Sequence, residues 1–274
     1  RTTPFSSNRS YRIAVIGNPN TGKTTLFNAL TGLSQHTGNY PGVTVESALG
    51  KFRQDDTQFE AVDLPGTYSL APRAPDEMLA VSVLLEYGHG SVAPDVILCV
   101  VDATNLDRNL YLATQIIDVG RPVVIALSMV DLAQKQGIHI HIARLEKRLE
   151  IPIVPVQAVK RQGLDQLRLA LRNAVHKPAL PPRPVTFPQA FTAEVNELTQ
   201  ALIENNRQVE GHAGYSAQPI QPTLPRFLVE RLLIDAGGMI ERDLIRERGE
   251  WIRIQTQAAR QRLADAGIPL PQME

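Results

Sequence analysis

The feature that most limits how this chain can fold lies near its start, where residues 17–24 read GNPNTGKT. They match the phosphate-loop pattern G-x-x-x-x-G-K-S/T and stand directly between a strand-like run and a helix-like run. Glycines let backbone N–H groups converge on phosphate oxygens, and the following helix adds favourable partial charge. The pattern predicts Lys23 at the β- and γ-phosphates and the Thr24 hydroxyl on Mg²⁺. The residues predicted to bind a nucleoside triphosphate here are Gly17, Asn18, Asn20, Thr21, Gly22, Lys23, Thr24 and Thr25.

Short apolar runs and amphipathic runs alternate as far as residue 175, which predicts an α/β fold with a mostly parallel central sheet. The runs VILCVV at 96–101 and PVVIAL at 122–127 are continuously apolar, as buried parallel strands are. Predicted strands are Arg12–Gly17, Phe59–Asp63, Val96–Asp102, Pro122–Leu127 and Ile153–Val156, with an edge strand within Val45–Gln54. Predicted helices lie near Lys23–Leu30, Asp76–Glu86, Asp107–Val119, Ile142–Leu149 and Leu164–Val175.

The composition changes after this region, because residues 177–188 contain five prolines. That many prolines suit neither a helix nor an inner strand, so we predict a stiff linker. Three helical patterns follow at Gln189–Asn206, Thr223–Ala236 and Glu241–Ala266, with a loop at Val209–Pro222. The predicted organisation is a disordered or tag-like segment 1–10, a phosphate-loop domain 11–176, a linker 177–188, a small all-helical domain 189–268 and a tail 269–274.

Charge and cysteine content exclude several classes of function. Lys plus Arg and Asp plus Glu both total 28, and this neutral balance argues against a nucleic-acid partner. The single cysteine, Cys99, rules out an internal disulfide framework and lies in a predicted buried strand, where inert packing is expected. The longest apolar run, Val96–Val101, is too short to cross a bilayer, and no signal peptide is visible. We therefore expect a soluble chain.

A second phosphate-site element is predicted where residues 63–66 read DLPG, at the end of a strand. Asp63 can hold Mg²⁺ through water, and the N–H of Gly66 can meet the γ-phosphate. Between the two elements, residues 38–46 read GNYPGVTVE, and their Gly and Pro content suits a mobile segment. Thr44 can complete the metal shell when the γ-phosphate is present, with Gly42 and Val43 beside the nucleotide.

The base site departs from the usual guanine-reading pattern N-K-x-D, because residues 128–131 read SMVD. Asp131 can accept the N1 and N2 protons of guanine, which adenine lacks. Ser128 replaces the amide that would engage guanine and brace the phosphate loop, and a hydroxyl is too short to do both. Guanine is favoured with weakened discrimination, and relaxed GTP/ATP preference is the alternative. The residues predicted around the base are Ser128, Met129, Asp131, Gln157, Ala158 and Val159.

The residue after the switch glycine also departs from the small GTPases, where a glutamine positions the attacking water. Here Thr67 and then Tyr68 follow Gly66, so we expect slow intrinsic hydrolysis. The side-chain carbonyl of Asn20 is a candidate to hold a monovalent cation, such as potassium, against the phosphates. The predicted catalytic residues are Lys23, Asn20, Thr44 and Gly66; the predicted magnesium ligands are Thr24, Thr44 and Asp63.

Together these segments resemble the N-terminal GTPase region of the ferrous iron transport protein B (FeoB) family. The resemblance includes residues 17–32, 38–46 and 63–70, the PDE at 75–77, and VDATNLDRNL at 101–110. It implies a Ras-like G domain, a helical domain described as a guanine-nucleotide-dissociation inhibitor, and potassium activation through Asn20. It further implies a location on the cytoplasmic side of the bacterial inner membrane, with a membrane-embedded iron-transporting portion of the same polypeptide as partner. The sequence leaves open whether the chain forms homo-oligomers.

Two other functions share such a G domain. One is a binding-only module that signals through the helical domain without turnover, and the other is a GTPase of ribosome assembly or RNA modification. The neutral charge argues against the second, because such proteins usually carry a basic RNA-binding appendage. His139 and His141 suggest a metal site, but no third ligand lies nearby in sequence, which favours a surface or edge-strand role.

Overall fold

The structure is a computed structural model, and it describes residues 10–32, 35–39, 46–85, 93–177, 187–212, 224, 226–268 and 270. Seven strands and ten helices lie within these ranges. The strands are β1 (Ser10–Gly17), β2 (Gln35–Asn39), β3 (Glu46–Gln54), β4 (Thr57–Asp63), β5 (Val96–Asp102), β6 (Val123–Ser128) and β7 (Ile153–Pro155). The helices are α1 (Lys23–Thr31), α2 (Pro75–Leu85), α3 (Leu106–Asp118), α4 (Val130–Lys135), α5 (Ile142–Leu149), α6 (Leu164–Ala174), α7 (Gln189–His212), α8 (Arg226–Ile234), α9 (Met239–Arg248) and α10 (Trp251–Asp265).

The described strands form one sheet in the order β2-β3-β4-β1-β5-β6-β7. The β2-β3 and β3-β4 pairs are antiparallel, and all other pairs are parallel. Parallel pairing brings the carboxyl ends of β1, β4, β5 and β6 to one edge, where open α/β sheets bind ligands. Register places Asp63 beside Val15 and Asp102 beside Ser128, so the predicted site residues meet at this edge.

The sheet is buried because its central strands β5 and β6 are apolar at every position except the last. All six residues of β6 and the first six of β5 are buried. Phe27 of α1 packs into the same core cluster as Phe59 of β4 and Leu167 of α6, so α1 and α6 cover one face. The predicted α/β class with a mostly parallel sheet is confirmed.

The described residues divide into two compact units, one within 1–70 and 90–182 and the other within 71–89 and 183–274. Helix α2 falls within the second of these units. Seven of the eleven residues of α2 are buried and they point to all sides of the helix. A helix of this kind must be covered on more than one face. The proposed domain boundaries at 11–176 and 189–268 remain predictions.

Three local expectations were wrong. The predicted helix Glu241–Ala266 is two helices, since Gly249 takes a left-handed φ of 85° between α9 and α10. Helix α7 continues to His212, so the predicted loop starts later than Val209. Strand β2 and helix α4 were not predicted, and because β2 pairs with β3, the strand predicted at the edge of the sheet within Val45–Gln54 lies inside the sheet. The rest of that loop, and most of segments 1–10, 177–188 and 269–274, lie outside the described residues.

No helix within the described ranges has both the length and the apolar character needed to span a bilayer.

The helical unit contains a buried ion pair between Glu241 of α9 and Arg260 of α10. Arg260 Nη2 lies 2.9 Å from Glu241 Oε2, and the side chains are 14% and 5% exposed, respectively. Glu241 also accepts hydrogen bonds from the Thr256 hydroxyl and the Gly237 N–H. Burial by itself raises the pKa of Glu241, but the hydrogen bonds from Arg260, Gly237 and Thr256 and the charge of Arg260 outweigh it and lower the pKa below its usual value.

We predict that Arg260→Met lowers the free energy of unfolding of the helical unit by about 3–5 kcal/mol, because it leaves a buried carboxylate without its partner. Trp251, the one tryptophan in the sequence, lies in α10, so its fluorescence during urea unfolding reports on this unit. Arg246→Met is the matched control, because Arg246 is 78% exposed and its pair with Asp243 is expected to contribute at most about 1 kcal/mol.

The lowered pKa of Glu241 also predicts a pH dependence. The stabilisation it provides is present above the carboxyl's unfolded pKa and is lost as pH falls through the lower, folded pKa. Unfolding followed by Trp251 fluorescence should therefore become easier as pH is lowered below about 4.5. An Arg260→Met variant with unchanged stability and the same acid dependence as the wild type would contradict this account.

Candidate nucleotide site

The loop between β1 and α1 is shaped by close backbone approach. A Cβ added to Gly17 would lie 2.5 Å from the carbonyl oxygen of Val100, so no side chain fits there. Gly22 has a left-handed φ of 81° and is the N-cap of α1 without a side-chain hydrogen bond. The first N–H groups of α1 therefore lack a side-chain cap and face the loop, which is the arrangement that binds phosphate.

Two asparagines of this loop differ in exposure. Asn18 is 3% exposed, and neither its side-chain oxygen nor its nitrogen has a hydrogen-bond partner among the described residues. An unpaired buried amide costs about 1–3 kcal/mol, so a ligand that hydrogen-bonds it gains by doing so. Asn20 is exposed and has a left-handed φ of 65°.

The predicted phosphate ligand and two predicted metal ligands are in direct contact. Lys23 Nζ forms an ion pair with Asp63 Oδ1, and the Thr24 hydroxyl donates to Asp63 Oδ2 over 2.9 Å. The Lys23 and Asp63 side chains are only 11% and 8% exposed. Hydroxyl and carboxylate oxygens side by side are the donors that Mg²⁺ prefers, so Thr24 and Asp63 fit such a site.

The segment after Asp63 packs on the phosphate loop. A Cβ added to Gly66 would lie 3.1 Å from the nitrogen of Pro19, so glycine gives the closest approach. The Thr67 N–H donates to the Gly17 carbonyl over 3.2 Å. Gly66 is thereby held against the loop that would bind the phosphates. The predicted residues Gly42, Val43 and Thr44 lie outside the described residues.

Ser128 stands at the end of β6 and is 8% exposed. Its hydroxyl donates toward the Thr21 carbonyl at 2.8 Å, and the Val101 carbonyl lies 3.1 Å away. A hydroxyl has one proton to donate. The Ser128 hydroxyl therefore braces the phosphate loop and has no second donor for a base.

The remaining residues predicted around the base come from two neighbouring turns. Met129 has a left-handed φ of 54° at the start of α4, and its Cε lies 3.9 Å from where a Gly22 Cβ would be. Asp131, in the first turn of α4, is 3.9 Å from Lys160 Nζ. Lys160 ends the short 3-10 turn Ala158–Lys160, so the two loops meet there.

Within that second turn, Val159 is 87% exposed, while the Gln157 side-chain oxygen is buried without a partner among the described residues. Lys160 was missed by sequence reasoning. The signal that could have found it was a basic residue two positions after Ala158, in a loop expected to lie beside the carboxylate of Asp131.

The segment VDATNLDRNL, residues 101–110, contains the turn that follows β5 at the same edge of the sheet. Asp102 Oδ1 accepts hydrogen bonds from both the N–H and the hydroxyl of Thr104, each 2.8 Å long. Asn109 Nδ2 donates to the Asn105 carbonyl over 2.8 Å. These contacts fix the turn between β5 and α3, so Asp102 and Asn109 are structural residues.

His139, His141 and Cys99 are the other candidate residues of the sequence. His139 and His141 are exposed in the irregular segment between α4 and α5, not in an edge strand, and they line a cleft of about 490 Å³. In the part of the chain that the structure describes, no three potential metal ligands cluster. Burial raises the pKa of the Cys99 thiol to about 12, which makes it unreactive.

Comparison with known proteins agrees with this geometry. The family described as ferrous iron transport protein B matches residues 11–171. The Fe(2+) transporter FeoB of Salmonella typhimurium (strain LT2) is 39% identical over 233 residues, which cover 78% of this chain and 30% of that protein. The chain thus spans less than a third of the length of this curated relative.

Solved structures give the same result. The cytosolic domain of L. pneumophila FeoB is 33% identical, with a TM-score of 0.69 over 93% of this chain and 94% of that one. A mutant of S. thermophilus NFeoB bound to mGDP is 34% identical, with a TM-score of 0.66 over 94% of this chain and 91% of that one. With its phosphate loop, sheet order and Asp63–Gly66 segment, this chain belongs to the ferrous iron transport protein B family and corresponds to that family's N-terminal G-domain region, a P-loop NTPase of the GTPase type.

Proposed function

We propose that this chain is the GTP-binding, slowly GTP-hydrolysing regulatory domain of a ferrous iron transporter, dependent on Mg²⁺ and stimulated by K⁺. The observation that carries the proposal is the contact of Lys23, Thr24 and Asp63 at the start of α1. Its partner would be the membrane-embedded portion of the same polypeptide, with this domain on the cytoplasmic side of the inner membrane.

At the phosphate end, Lys23 exchanges its contact with Asp63 for the β- and γ-phosphates. The exchange keeps the buried ammonium paired with negative charge, which limits its desolvation cost. Asp63 and Thr24 are then the residues that would hold Mg²⁺, which supplies positive charge to the phosphates when bound. The Gly66 N–H is the proposed donor to the γ-phosphate.

At the base end, selection depends on Asp131, because the Ser128 hydroxyl is used on the Thr21 carbonyl. A carboxylate accepts from both N1–H and N2–H₂ of guanine, whereas adenine offers no such pair. The mGDP-bound S. thermophilus relative supports a guanine nucleotide. Since the amide contact of the usual pattern is missing, we propose a weaker preference for GTP over ATP than N-K-x-D proteins show.

The environment of Thr67 supports the proposal of slow turnover. This side chain is 1% exposed, and its hydroxyl donates to the Ser69 carbonyl over 2.7 Å. It is therefore turned away from solvent and cannot position an attacking water. The exposed Asn20 offers an amide oxygen, the donor type that potassium accepts, in the loop that would bind the phosphates.

The proposal is tested by measuring phosphate release from GTP and from ATP with Mg²⁺, for the wild type and for Lys23→Ala. We expect release from GTP to exceed release from ATP, and the Lys23→Ala variant to release little from either. Equal release by the wild type and Lys23→Ala would contradict the assignment of the site.

We predict that Asp131→Asn weakens binding of GDP by about tenfold or more and improves binding of the xanthine nucleotide XDP. The amide offers a donor to the C2 carbonyl of xanthine, where guanine carries an amino group. Fluorescence titration with mant-labelled GDP and XDP measures the change. Asp165→Asn, at an exposed carboxylate of α6, makes the same chemical change as a control.

Two outcomes decide the base-site assignment. An Asp131→Asn variant that keeps its preference for GDP over XDP would show that Asp131 does not read the base. Ser128→Ala, in contrast, should weaken GDP and ADP by similar factors, because it removes a brace of the phosphate loop and not a base contact.

We predict that the rate of GTP hydrolysis is higher in K⁺ than in Na⁺ and that Asn20→Ala removes this difference, lowering the rate in K⁺ by about tenfold. Asn28→Ala, an exposed asparagine on α1, is the control and should keep the K⁺ response. Phosphate release at constant ionic strength measures both. A wild type with identical rates in the two cations would remove the role proposed for Asn20.

A further inference from the structure

The segment that follows Gly66 is attached to α3 at two points. The guanidinium carbon of Arg108 lies 4.0 Å from the centroid of the Tyr68 ring. The Leu70 N–H donates to Gln115 Oε1 over 2.8 Å, and both residues are buried. One contact is a cation over an aromatic face, and the other pairs a backbone donor that has no water to bond to.

Arg108 and Gln115 are seven residues apart, which is two helical turns, so they lie on the same side of α3. The adjoining face of this helix is fixed in the core, because Leu112, one turn after Arg108, and Ile116 are fully buried. Helix α3 therefore offers a rigid support to residues 68–70.

The other end of the segment rests on the phosphate loop, through the hydrogen bond from Thr67 N–H to the Gly17 carbonyl. Gly66 precedes this bond directly and lies so near Pro19 that an added Cβ would stand 3.1 Å from its nitrogen. The position of the Gly66 N–H is thus set from two sides, by the loop and by α3. A group misplaced by about 1 Å in a reacting geometry can cost up to about 100-fold in rate.

We propose that Arg108 and Gln115 are positioning residues of the GTPase site, holding the Gly66–Leu70 segment so that the Gly66 N–H meets the γ-phosphate. This inference rests on the proposed GTPase function and assigns a role to the Arg108 of the VDATNLDRNL segment. The positioning of Gly66 is important in this chain because Thr67 cannot position water. Hydrolysis then depends on how the other hydrogen-bond donors, such as the Gly66 N–H, are placed.

The experiment compares kcat for GTP with the affinities for mant-labelled GDP and for the non-hydrolysable triphosphate GMPPNP. Arg108→Ala should lower kcat about three- to tenfold and weaken GMPPNP relative to GDP by a similar factor. Its GDP affinity should stay within about twofold, because GDP has no γ-phosphate. Gln115→Met, which keeps the side-chain volume but removes the acceptor, should show the same pattern.

Matched variants separate the stacking contact from a general loss of charge. Tyr68→Phe keeps the aromatic face and should behave as the wild type, whereas Tyr68→Ala should match Arg108→Ala. The double variant with both alanine substitutions should lose no more kcat or relative GMPPNP affinity than either single variant. Arg144→Ala, at an exposed arginine of α5, should change nothing. Arg108→Lys should fall between the wild type and Arg108→Ala, because an ammonium does not stack as a planar guanidinium does.

Three results would overturn the proposal: an unchanged kcat in Arg108→Ala, additive losses in the double variant, or equal losses of GDP and GMPPNP affinity, which would indicate a merely structural role. Failure of the proposed function looks different, since the wild type itself would then release no phosphate from GTP. Even in that case the ratio of GMPPNP to GDP affinity decides whether α3 positions Gly66.

Discussion

The whole site depends on how closely β1 approaches β5 at its last residue. A Cβ on Gly17 would stand 2.5 Å from the Val100 carbonyl oxygen, so only glycine allows β1 to lie this close to β5 at its last residue. The Gly17 carbonyl, in turn, receives the N–H of Thr67. One glycine therefore fixes the phosphate loop against β5 and the end of β4 against the phosphate loop, so that three strands contribute to one surface.

The contacts at the phosphate end of the site involve nearly buried side chains, whereas the ion pair at the base end is exposed. Lys23, Thr24 and Asp63 contact one another, and Lys23 and Asp63 are nearly buried. At the base end, Asp131 is 41% exposed and its nearest charged partner, Lys160, is 61% exposed. Water competes with contacts made in such an exposed place, so they contribute less free energy than the buried ones.

The sequence allowed the α/β class and most strands to be predicted, because periodicity and the phosphate-loop pattern are local signals. The contacts that give residues their roles join distant parts of the chain. Ser128 lies 107 residues from Thr21, and Leu70 lies 45 residues from Gln115. Such pairs are not encoded in spacing. The break between α9 and α10 was within reach, since Gly249 directly after Arg248 is a recognised helix end.

Ser128 shows why the two ends of the site differ. An asparagine at this position has an amide with two donors and an acceptor, enough both to brace the loop and to engage a base. The Ser128 hydroxyl has one proton, and it is donated in the hydrogen bond to the Thr21 carbonyl. On the proposed function, this hydrogen bond keeps the shape of the phosphate loop while one base contact of the usual pattern is missing. Free energy of nucleotide binding should then come mainly from the phosphates, and the chain should distinguish a triphosphate from a diphosphate, through Gly66 and its supports, more sharply than one purine from another.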